Sequence, residues 1–188
     1  MNLEKENYWY MAGKERLLLK VVGSLIILGS MAGIIFSWIE MKSKKRKYIW
    51  GIYRIMCKGE YAILKEKQKT ADFFKGINGI DSELEKKCKK VAENLYAHKF
   101  RSGEEAWVDA FGENDKEFKM TKDEKDLINQ IGSAFFARSS MEMKKLFGVY
   151  EEQMLQLFKA EKNSYRESKK VVMALGMLGS VMVIILLI

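Results

Sequence analysis

Two stretches without a charge frame this chain: Val21 to Ile39, VVGSLIILGSMAGIIFSWI, and Val171 to Ile188, VVMALGMLGSVMVIILLI. Between them, apolar residues recur three or four positions apart. Ile49, Ile52, Met56 and Ile63 form one set, and Leu84, Cys88, Val91 and Leu95 the next. Ala106, Trp107, Ala110 and Phe111 follow, then Leu127, Ile128, Ile131 and Phe135. The last set is Met143, Leu146, Tyr150, Met154 and Leu157. That spacing is one face of a helix each time, and no stretch alternates with period two for long enough to make a sheet. Four Ser/Thr-x-x-Glu boxes, at Ser82, Ser102, Thr121 and Ser139, mark helix starts, each ahead of an apolar pattern. The first helix is expected to continue from the first apolar stretch to near Thr70. DFFKGINGI, with two glycines and an asparagine, reads as a loop with two phenylalanines tucked in. No proline or glycine interrupts Glu151 to Leu175, so the last helix runs into the second apolar stretch.

Each apolar stretch makes a helix about 27 Å long, close to a hydrocarbon core of about 30 Å. A single span in lipid can satisfy its backbone only as a helix. The expected fold is therefore all-α: N- and C-terminal transmembrane helices flanking a cytoplasmic bundle of about five to six helices. Its parts are an N-terminal extension (1–16), a first span (17–41), the bundle (42–168) and a second span (169–188), which ends at the far interface. Ser30-Met31-Ala32 resembles a signal-peptidase site. Cleavage there would leave a short apolar end followed by a lysine cluster. The chain is too small to surround two all-round apolar helices as core.

Charge gives the orientation. The 188 residues carry a formal +8, although mean hydropathy, −0.21, is that of a soluble protein. Lys42, Lys44, Lys45, Arg46 and Lys47 follow the first span, and Lys162, Arg166, Lys169 and Lys170 precede the second. Basic residues stay on the cytoplasmic side, so the bundle is cytoplasmic and both ends lie across the membrane. The cluster Lys42 to Lys47 then sits at the membrane surface, where each charge near anionic lipid contributes about 1 kcal/mol. Tyr8, Trp9 and Tyr10 are placed at the far interface, and Trp38 and Trp50 near the cytoplasmic one. Small residues at helix-contact spacing, Gly29 and Gly33 in the first span and Gly176, Gly179 and Ser180 in the second, suit close helix–helix packing within one copy or between copies.

Candidate chemistry is sparse. Cys57 and Cys88 form no metal pattern, which points to a reducing compartment. The one histidine, His98, continues the Leu84 stripe as a half-buried packing residue. No GxxxxGK[ST], GxSxG, HExxH or GxGxxG occurs, and neither span carries an isolated charge that would mark an ion path. Lys86, Lys87, Lys89 and Lys90 lack interleaved aromatics and read as a solvated face rather than a nucleic-acid patch. No enzyme, cofactor, metal, nucleic acid or small-molecule substrate is expected; the output is binding.

From Leu17 onward the chain resembles the stage III sporulation protein AB family of endospore-forming Firmicutes. The resemblance rests on LLLKVVGSLIILGSMAGIIF, GEEAWVDAF, TKDEKDLINQIG and the terminal LGMLGSVMVIILLI. It departs where the family continues a Leu-Gly turn with Asp and Gln: Phe135-Phe136, Ser139 and Met143 stand there instead. The resemblance implies a helical domain similar to that of the inner-membrane platform protein of type II secretion and type IV pilus machines. It implies a non-enzymatic scaffold in the sporulation channel between mother cell and forespore. That scaffold would lie in the mother-cell-derived membrane and dock a secretion-type ATPase beside other subunits of the complex. The alternatives are a platform subunit of another secretion or pilus machine, or a membrane-anchored regulator.

Overall fold

The computed structural model describes residues 3–112, 118 and 120–187. The side chains of residues 3–19, Ile27, Ser180, Ile184, Leu186 and Leu187 lie outside that description, and with them the expectations for Tyr8, Trp9, Tyr10 and Ser180. Among the described residues the chain is all-helical: α1 (Leu3–Glu60), a π turn (Tyr61–Lys65), α2 (Thr70–Gly76), α3 (Ser82–Tyr96), α4 (Gly103–Phe111), α5 (Lys122–Phe135) and α6 (Ser140–Leu187).

The chain divides into two compact units. One comprises residues 1–40 and 165–188, the other residues 41–164. In the first, a stretch of α1 within Lys20–Lys65 contains an 18-residue window of mean hydropathy 2.0, none of it buried. Among the described residues this is the one helix whose length and composition suit crossing a membrane. Its Ser24 and Ser30 hydroxyls donate back to the carbonyls of Val21 and Ile26, each at 2.8 Å. Those hydroxyls need no outside partner.

In the second unit, α1 and α6 run antiparallel. Trp50 meets Phe158 at 4.9 Å between ring centroids. α2 packs on α3, α3 on α4 and α4 on α5. The core is strongly aromatic. Phe135 lies 5.9 Å from Phe73, 4.9 Å from Phe74, 5.5 Å from Trp107 and 5.0 Å from Phe147. α1 contributes Ile49, Ile52, Ile55 and Met56, all fully buried. Gly59 lets Phe135 approach: a Cβ there would meet the ring at 2.3 Å.

Helix starts follow side-chain capping. The Thr121 hydroxyl accepts from the Glu124 amide at 3.3 Å while the Thr121 amide donates to the Glu124 carboxylate at 2.7 Å. Ser102 and Ser139 accept from the amides of Glu105 and Glu142, each at 3.2 Å. At α3 the cap is Asp81 rather than Ser82, accepting from the Glu83 amide at 3.0 Å. Aspartate caps as well as serine, and here the residue one place earlier takes the position.

Three local expectations change. Of DFFKGINGI (72–80), read as a loop, 72–76 belong to α2 (Thr70–Gly76), which has no side-chain cap, while 77–80 stay outside any helix; Phe73 and Phe74 are buried, as expected. Burial of those rings, not local propensity, holds it. α1 closes before Thr70: the Glu66 amide donates to the Tyr61 carbonyl at 3.3 Å, and Lys67 turns the chain at φ 59. His98 is exposed at φ 49, because α3 ends at Tyr96 and the stripe goes no further.

Candidate functional site

The polar groups worth weighing lie at the two ends of the α1–α6 pair in the second unit. At the end where α1 enters, the Lys45 ammonium donates to Glu124 Oε1 at 2.8 Å and Glu161 Oε1 at 2.7 Å. Lys42 lies 4.0 Å from Glu161. Lys45 is 5 % exposed and Glu124 8 %. Burial alone would lower the Lys45 pKa, but the hydrogen bonds and charges of Glu124 and Glu161 outweigh it and hold the group above its ordinary value. Glu124 therefore caps α5 with one oxygen and ties α1 with the other. Of the five basic residues assigned to a membrane surface, Lys45 is turned inward to these carboxylates and Lys42 is half-buried beside one of them. Lys44 and Lys47 are exposed, and Arg46 is half-buried.

About one turn before the π turn, Cys57 sits between Tyr53 and Glu151. Burial pushes its thiol up to about 11, against the opposing effect of a hydrogen bond from Tyr53. Cys88, fully buried, is pushed up to about 12. Both are protonated at neutral pH and poor nucleophiles. Burial also raises Glu151, a hydrogen bond donated by the Cys57 thiol opposes this, and Glu60 reinforces it. Glu151 Oε1 is buried without a hydrogen-bond partner. Among the described residues no group of three or more His, Cys, Asp or Glu side chains could hold a metal ion.

At the opposite end, the π turn separates two grooves of about 450 Å³ each. Tyr61 and Cys57 line both. The first continues to Phe73, Ile77 and Asn78, and the second to Leu64, Lys65, Lys67, Ser140 and Lys144, with Glu60 as its carboxylate. Tyr61 is 61 % exposed, and nearby Met141 is 85 % exposed at the start of α6. Within the i→i+5 turn Ala62 continues the buried stripe of α1, while Tyr61 stands on the exposed face. Such turns recur at functional positions. Periodicity gave no sign of it, since a π turn has no residue signature.

The small residues of the first unit separate into two groups. A Cβ at Gly176 would lie 3.5 Å from the Ile35 side chain, and one at Gly179 would lie 3.4 Å from Met31. At Gly29 and Gly33 an added Cβ meets nothing within 4 Å. The second helix's glycines thus face the first helix, while the first helix's own glycines face away. The lysines of α3 divide as well. Lys87 donates to the Ala110 carbonyl at 3.3 Å and Lys90 to the Asp109 carbonyl at 2.9 Å, placing cations at the C-terminus of α4.

A family model described as stage III sporulation protein AB matches residues 20–188. No curated protein and no solved structure matches the chain.

Proposed function

Because the chain belongs to the stage III sporulation protein AB family, we propose that it is a non-enzymatic scaffold in a sporulation complex, held in the membrane by both apolar helical arms. In this reading residues 17–41 and 169–188 cross the bilayer and residues 42–168 form a cytoplasmic platform. That platform docks a secretion-type ATPase and other subunits of the channel between mother cell and forespore. The membrane is the mother-cell-derived one around the forespore.

The observation that carries the reading is the dress of the two arms. Ile34 is 71 % and Phe36 70 % exposed on the first; Met177 is 75 % and Met182 70 % exposed on the second. Water rejects an exposed apolar surface of this kind and lipid accepts it, since large contiguous apolar patches are rare on soluble proteins. The arms touch through glycines, as membrane helices do where packing replaces the hydrophobic drive. A helix bundle suspended from α1 and α6 suits a coupling part, because both helices belong to the bundle and to the arms.

The test is detergent extraction of tagged chain from sporulating cells. A secretion-type ATPase is expected to co-purify in stable proportion. Recovery of pilins instead would assign the chain to a pilus platform, and recovery with no assembly partner would leave an anchored regulator.

A further inference from the structure

We propose that the lysine-lined groove beside the π turn receives an acidic, amphipathic segment of a partner protein. Carboxylates of that segment would lie among Lys65, Lys67 and Lys144, and an apolar side chain would lie against Leu64 and Tyr61. This rests on the scaffold reading and names the surface it would use.

Three observations converge. The groove is lined by three ammonium groups against the single carboxylate of Glu60. Among the described residues no ion pair engages Lys65, Lys67 or Lys144. Like charges gathered in one concavity raise its potential, and a negative ligand relieves it. Apolar surface lies beside the charge: Tyr61, which lines the groove, is 61 % exposed, and Met141, next in sequence to the lining Ser140, is 85 % exposed. An exposed aromatic and a methionine next to a charged rim are the usual anchors of a protein interface. Finally, the backbone is committed to this shape: the Gln68 amide reaches the Ala62 carbonyl at 3.0 Å and Lys67 holds φ 59, a conformation a lysine adopts at some cost.

Position favours protein over lipid as the source of the negative charge. By helical rise the groove lies about 30 Å along α1 beyond Met41. The surface potential of an anionic leaflet fades within a Debye length of about 10 Å.

The full chain in neutral-lipid nanodiscs would be titrated with a fluorescent peptide carrying glutamates and leucines in helical register. Its counterpart carries lysines in place of the glutamates. The acidic peptide should bind saturably, more tightly at low salt, and the basic one should not. Lys65→Glu, Lys67→Glu and Lys144→Glu together should weaken binding at least about tenfold, which corresponds to about 1.4 kcal/mol. The same reversal at exposed Lys86, Lys89 and Lys122 should leave it within about twofold. Equal weakening by both sets, or no saturable binding, would overturn the proposal. So would anionic vesicles that bind the wild-type chain and lose it on reversal in the groove. Repeating the co-purification with the groove variant separates the two claims. An ATPase retained by both proteins leaves the scaffold standing and overturns the groove. An ATPase recovered with neither overturns the scaffold, whatever the peptide does.

Discussion

Trp107→Ala should be the most destabilising single truncation in the bundle, at about 3–5 kcal/mol. Trp107 is fully buried, stacked on Phe111 at 3.9 Å and set against Phe74 and Phe135. Its indole N–H donates to the Ile128 carbonyl at 2.8 Å. The ring lies over Gly132, where a Cβ would come within 2.8 Å of Cδ1. Removing the indole opens a cavity at the junction of α2, α4 and α5, and neighbours locked by their own stacking cannot collapse into it. In detergent, the thermal midpoint of the full chain should fall by on the order of 10 °C. The pair is also testable from the other side. Gly132→Ala should destabilise the wild-type chain by overpacking and cost much less once Trp107 is Ala. Additive effects would show that ring and glycine do not share the space.

Lys45→Met carries the second large effect. It leaves the Glu124 and Glu161 carboxylates at an interior position without their shared cation. Removing one partner of a buried pair costs about 3–5 kcal/mol. Glu124 also loses the contact that steadies its cap on Thr121, so the start of α5 should fray first. Changing both acids to Gln in the Lys45→Met background should restore most of the loss, because no interior carboxylate is then left unpaired and the partly exposed Lys42 loses only a 4.0 Å contact with Glu161. If Lys45→Met melts like the wild type, the ion pair is a surface decoration after all. The pH dependence has a definite sign. The folded-state Lys45 pKa lies above its ordinary 10.5, so this stabilisation is complete below that value. The Lys45 contribution is lost as the pH rises through that folded-state pKa.

The two cases show what a residue pattern can and cannot carry. Ala106, Trp107, Ala110 and Phe111 announce a buried face by their spacing, and that face is buried. Ile128, Ile131 and Phe135 do the same for α5. Lys45 announces nothing, since five basic residues within six positions look alike in one dimension. Which of them turns inward depends on Glu124 and Glu161, 79 and 116 positions away. Lys87 and Lys90 were legible as polar, but their partners are the carbonyls that end another helix. α2 was hidden because seven residues with two glycines close by have little helical tendency until Phe73 and Phe74 reach the core. The end of α1 was hidden for a different reason. A π turn and a left-handed Lys67 are backbone choices made by packing, with no preferred residue to betray them. The groove they shape was therefore absent from any motif.

The central claim is that both apolar arms cross the bilayer and hold the bundle on the basic, cytoplasmic side. Reporter enzymes that are active only outside the cytoplasm, fused near Ser102 and after Ile188, test it most directly. The account predicts an inactive reporter at Ser102 and an active one after Ile188. Activity at Ser102, or none after Ile188 in a stably expressed fusion, would contradict it.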